Sequence, residues 1–271
     1  MNVTTIDLYA YFGLKREEGC RGYLRCYLHL DGTEFRSAML VIPGGGYSHV
    51  SDRESEPVAS KYYQRGLQCF TLDYSVAPIC YPTQLVEGEM AMTYIRENAE
   101  AFHLDKDKVV AIGFSAGAHL CAMLATILEN ERLTSPLGDR VQYCRPNGVI
   151  LGYPVITAFE NAHTASFLRL SGGDSSLYDT LSIERRVNKD ATPAFIWGTV
   201  DDPVVPSENG FLVAWAYRKA GALFEYHVFE SCNGVHGLSI CEKETGCENK
   251  QVKAWVELSV HWMEGRGLLA K

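Results

Sequence analysis

The 271-residue chain has little of what marks exported, membrane-bound or nucleotide-binding proteins. Its start, MNVTTIDLYAYFGLKREEG, lacks the basic residues and apolar block of a signal peptide, and no later run approaches the roughly 20 apolar residues that span a bilayer. A cytoplasmic protein with no membrane partner is therefore expected. Positive charge is scarce: 25 Lys and Arg stand against 33 Asp and Glu, a formal charge of −8 that repels phosphate backbones and argues against nucleic acid as a partner. The 9 cysteines form an odd count with no C-x-x-C pair, which signals neither a disulfide framework nor a zinc site, and reduced thiols are the expectation. Neither G-x-x-x-x-G-K-[ST] nor a G-x-G-x-x-G after a strand is present, so the glycine-rich stretch at 44–46 is not read as a phosphate-binding loop. Repeats, low-complexity segments and a Pro/Gly/Ser-rich linker are missing too, and with 46% hydrophobic residues a single domain over 1–271 is expected.

What the chain does have is a recurring strand followed by a helix. SAMLVI (37–42) reads as a buried strand, EPVASKYYQRG (56–66) as a helix with Pro57 in its first turn, and LQCFTLDY (67–74) as the next strand. The alternation continues through helix 85–102, strand 108–114, helix 116–128 and strands 148–154 and 193–198. Helix 210–221, strand 224–230 and helix 250–265 complete it. This pattern predicts an α/β fold whose mainly parallel sheet is covered by helices on both faces, with its site in the loops at the carboxyl ends of the strands. Residues 155–190 break the rhythm and are expected to form a small lid or a pocket wall.

KVVAIGFSAGAHLCAMLA (108–125) places Ser115 where a strand pattern meets a helix pattern, with Gly113 and Gly117 relieving the crowding of a sharp turn. An exposed serine in such a turn is a candidate nucleophile; an ordinary tight turn with a helix-capping serine is the bland alternative. A hydroxyl needs a histidine base oriented by a carboxylate, and in this topology both follow the serine, in loops after later strands. TVDDPVVP offers Asp202, with Asp201 as second choice. Of the histidines, His119 lies on the helix after the serine and reads as packing, while His163 precedes the acid and is set aside. His227 belongs to a strand and His261 to the last helix, so His236, in the glycine-flanked loop SCNGVHGLS after the last strand, is the candidate base. PGGGYSHV supplies bare backbone N–H groups for an oxyanion hole, from Gly45 or Gly46 beside the N–H of Ala116.

In order and separation, PGGGY (43–47), GFSAGAHL (113–120), DDPVVP (201–206) and GVHGLS (234–239) resemble the α/β-hydrolases of the small carboxylesterase type, in particular bacterial acetyl esterases and acetylxylan esterases. The likeness runs from about residue 36 to 265. It implies a triad of Ser115, Asp202 and His236, an oxyanion hole of Gly45, Gly46 and Ala116, and no metal or organic cofactor. Pro43 replaces the histidine that often opens the glycine motif, and the N-terminal region is too short for a large helical cap. A small or absent cap favours short acyl groups.

The expectation is a serine esterase acting through an acyl-enzyme on a small-molecule acetyl ester, such as an O-acetylated sugar or xylo-oligosaccharide. An arylformamidase or small-peptide hydrolase with the same triad, and a non-catalytic ligand-binding module, are the alternatives. Tyr47, Tyr74 and Tyr153 lie at strand ends, where they either stack on sugar or pack. Oligomeric state, a homo-oligomer included, is left open.

Overall fold

Eight strands form one sheet in the computed structural model, which describes residues 2–29 and 34–270. They are β1 (Asn2–Asp7), β2 (Tyr23–Leu28), β3 (Arg36–Ile42), β4 (Gln68–Asp73), β5 (Leu104–Phe114), β6 (Gly148–Gly152), β7 (Ala194–Thr199) and β8 (Phe224–Phe229). The spatial order is β1-β2-β4-β3-β5-β6-β7-β8. From β4 through β8 neighbours run parallel, whereas β1 and β2 add an antiparallel edge.

Both faces are covered because both faces of the central strands are apolar. On β3, Ala38, Leu40 and Ile42 enter one core while Met39 and Val41 enter the other; on β5, Val109 and Ala111 divide from Val110, Ile112 and Phe114 in the same way. Buried residues of α2 (Thr83–Glu97), α3 (Ala116–Ala125) and α5 (Glu208–Ala220) complete the first core, and those of α1 (Glu56–Tyr63) and α6 (Trp255–Gly265) the second. The helix α4 (Thr164–Ser171) lies within the irregular 155–190 stretch. Among the described residues no helix is long and apolar enough to cross a membrane.

The sequence pattern predicts no element before residue 36, yet β1 and β2 extend the sheet there. Residues 3–7 of β1 are not buried, and β2 alternates between covered and open positions from Tyr23 to Arg25 before its last three residues are buried, so neither shows the continuous apolar run of the central strands. Helix α2 also ends at Glu97 rather than at 102: the Asn98 N–H and side-chain amide both bond the Tyr94 carbonyl, closing the last turn.

A buried carboxyl fastens this edge to the body. Glu87 of α2 accepts from the Tyr9 hydroxyl and from both the N–H and the hydroxyl of Ser75. Burial outweighs these bonds and pushes Glu87 up from 4.5 to about 7. A raised carboxyl binds its proton more tightly in the native than in the unfolded state, so its contribution is intact below about 4.5 and is lost as pH rises toward about 7. Glu87→Gln should therefore gain on wild type by up to about 1.4 kcal/mol per pH unit across that window in urea titrations. A pH-independent difference would contradict the assignment.

Candidate active site

At the sheet's carboxyl edge Ser115 links β5 directly to α3 in a strained conformation, at φ 52° and ψ −120°. Its amide donates to the Gly152 carbonyl at 3.0 Å, and its carbonyl accepts from the N–H groups of His119 and Val155, each at 3.2 Å. The flanking glycines answer to contact distances. A Cβ on Gly113 would lie 2.3 Å from the Gly117 carbonyl oxygen, and one on Gly117 would lie 2.1 Å from the Ile42 oxygen. The turn closes only because the end of β3, the end of β5 and the first turn of α3 touch backbone to backbone. This strain holds the serine, 4% exposed, at the rim of a cleft.

Two loops converge on it. His236 Nε2 lies 3.0 Å from Ser115 Oγ, and His236 Nδ1 lies 2.7 Å from Asp202 Oδ2. With Nδ1–H donating to the carboxylate, Nε2 is left as acceptor for the serine hydroxyl. The Asp202 side chain is 2% exposed, and its other oxygen accepts from the Val204 and Val205 N–H groups at 2.9 and 3.0 Å. Asp201 points elsewhere: it accepts from the Ser231 hydroxyl and from the Cys232 and Gly234 N–H groups, fixing the base of the loop that carries His236. The Cys232 and Ser231 side chains, with the Cys232 amide, hold its carboxyl well below the usual carboxylate range.

The triglycine loop sits on the other side of the cleft. The Gly44 N–H is taken by Glu54 Oε2 at 2.8 Å, whereas the N–H groups of Gly45, Gly46 and Ala116 meet no acceptor among the described residues. Gly45 at φ +125° leaves no room for a side chain, since a Cβ there would sit 2.0 Å from the His49 carbonyl oxygen. Glu54 went unread in the sequence. Buried, it joins this loop to the Tyr153 hydroxyl at 2.7 Å, and Tyr153 in turn accepts from the Ser239 N–H and packs edge-on against His236, ring centroids 5.1 Å apart.

The three tyrosines are structural rather than sugar-stacking. Tyr47 bonds His119 Nδ1, Tyr74 bonds the Pro43 carbonyl, and all three rings are buried. His119 is the packed residue the sequence suggested: its Nε2–H donates to the Leu181 carbonyl, and burial pulls it down to about 4, so it is neutral. His163, set aside from the sequence, lines the cleft together with Arg53 and Arg169. Burial, then the charges of His236 and Arg169, lower its affinity for a proton. No spacing signal marks these residues, because they reach the cleft from an exposed turn and from α4. The cleft is small, about 240 Å³.

A strained serine turn between strand and helix on a mainly parallel eight-stranded sheet, with a histidine and a carboxylate brought to it from the loops after β7 and β8, defines an α/β-hydrolase. The BD-FAE family model matches residues 24–215, and the chain belongs to that family.

The chain is 37% identical over 228 residues to endo-1,4-beta-xylanase B of Butyrivibrio fibrisolvens, covering 82% of this chain and 35% of that protein. It is 29% identical over 234 residues to acetylxylan esterase of Xylanibacter ruminicola, covering 83% of this chain and 45% of that one. The chain thus spans about a third to a half of the length of the curated relatives it matches.

Among solved structures, the acetyl ester-xyloside bifunctional hydrolase of Caldicellulosiruptor lactoaceticus aligns with TM-score 0.81 and 35% identity, covering 91% of this chain and 88% of that one. The carboxylesterase Cest-2923 of Lactobacillus plantarum aligns with TM-score 0.83 and 26% identity over the full length of both chains.

Proposed function

We propose that the protein is a carboxylic ester hydrolase that removes acetyl groups from O-acetylated sugars or xylo-oligosaccharides through an acyl-enzyme on Ser115. The observation that carries this reading is the unbroken hydrogen-bond chain from Asp202 through His236 to Ser115 Oγ. His236 takes the serine proton as Oγ attacks the acetyl carbonyl; Asp202 fixes the tautomer and stabilises the imidazolium. The N–H groups of Gly45, Gly46 and Ala116 face no competing acceptor and receive the oxyanion, where the loss of one donor costs about 3 to 4 kcal/mol. His236 then protonates the leaving sugar oxygen and activates the water that releases acetate.

The carbohydrate half of the reading leans on the names of the relatives, an acetylxylan esterase and an acetyl ester-xyloside hydrolase. The short-acyl half leans on the small cleft. With 4-nitrophenyl esters, kcat/KM for acetate should exceed that for octanoate by at least about tenfold, since each excluded methylene is worth about 1 kcal/mol or more. Acetate should also be released from acetylated xylo-oligosaccharides. An octanoate preference would overturn the acetyl assignment.

A further inference from the structure

The chain as a whole is acidic, at −8, but the walls of its cleft are not. Arg53 and Arg169 both line it, and among the described residues neither takes part in an ion pair. The one carboxylate in the lining, Glu54, is buried and occupied by the Gly44 N–H and the Tyr153 hydroxyl.

Each guanidinium is seated on a loop of the site. Arg53 Nη2 donates to the His236 carbonyl at 3.3 Å, over Gly237, where a Cβ would come within 2.2 Å of that nitrogen. Arg169 Nη1 donates to the Gly46 carbonyl at 3.0 Å, and a Cβ on Gly46 would lie 3.3 Å from it. Glycine therefore stands where each guanidinium rests, and a single carbonyl bond leaves most of the N–H donors of each group unused.

Two unpaired guanidinium groups facing one small cleft are matched by a planar anion. Arginine forks recognise carboxylates bidentately, and such charge-assisted bonds strengthen as the site is desolvated. We propose that Arg53 and Arg169 form an anion subsite, and that the preferred substrate is an acetyl ester whose alcohol is a carboxylate-bearing sugar. The inference rests on the acetyl esterase reading: an acetyl group has no second functional group, so the charge must sit on the alcohol.

The test compares acetate release from an acetylated methyl glucuronoside with release from its uronamide, which keeps the shape of the group but is neutral and has an NH2 donor in place of one acceptor oxygen. Wild type should favour the uronate by about tenfold in kcat/KM, the effect of one charge-assisted hydrogen bond, and the preference should shrink as salt is raised. Arg53→Gln and Arg169→Gln should each lower the uronate-to-uronamide ratio by about fivefold, with Arg53→Lys keeping part of it. A wild-type ratio near one, with both compounds hydrolysed, overturns the subsite. If neither these compounds nor 4-nitrophenyl acetate is hydrolysed, the esterase reading fails instead. Calorimetric titration of methyl glucuronoside against methyl glucoside then reads the subsite directly, and equal affinity or no binding overturns it.

Discussion

Ser115→Ala is expected to lower turnover of 4-nitrophenyl acetate by about 10⁵- to 10⁶-fold. The substitution removes one oxygen from a side chain that is 4% exposed, and leaves the Ser115 amide and carbonyl bonds to Gly152, His119 and Val155 in place. The unfolding midpoint in urea should move little, so loss of activity would not be loss of fold. The N–H groups of Gly45, Gly46 and Ala116 remain, and a residual rate above that in water is the signature of a site that still polarises the carbonyl but has lost its nucleophile. Retention of more than about a tenth of the activity would reduce the serine turn to a structural device.

Asp202→Ala should cost about 10⁴-fold in kcat, while Asp201→Ala should cost less than about tenfold. Adjacent in sequence, the two carboxylates have separate partners. Asp202 alone contacts His236 Nδ1, at 2.7 Å, and without it the imidazole loses both its tautomer and its orientation. Asp201 acts one step away, holding Ser231, Cys232 and Gly234 so that the loop delivers His236 at the correct height. Its removal should appear first as a lowered thermal midpoint and only secondarily in kcat. Equal losses in the two variants would contradict this division.

The division between Asp201 and Asp202 also marks the limit of what the chain's order discloses. Ser115 and His236 are legible because backbone constraints leave marks in sequence: close approach demands glycine at 113 and 117, and the loop after the last strand offers one histidine. Two consecutive aspartates after one strand carry no such mark, since which of them turns inward depends on the Val204 and Val205 amides that cap one and the Ser231–Gly234 loop that claims the other. The strand and helix alternation was readable from β3 onward because each central strand is apolar on both faces. The strands β1 and β2 were not, because residues 3–7 of β1 are unburied and carry no apolar run, and β2 shows only a brief alternation through Tyr23, Leu24 and Arg25. Arg53, Glu54 and Arg169 escaped for a related reason: they belong to an exposed turn and to α4, and only the tertiary fold brings them to Ser115.

Nucleophilic attack by Ser115 is the step on which the rest depends. Treatment with a fluorophosphonate, in which fluoride leaves as a phosphorus–oxygen bond forms to the attacking hydroxyl, followed by peptide mass mapping, tests it most directly. The account expects one label per chain, on Ser115, appearing in step with the loss of ester hydrolysis and absent from Ser115→Ala. Label on another residue, or hydrolysis that persists in fully labelled protein, would contradict it.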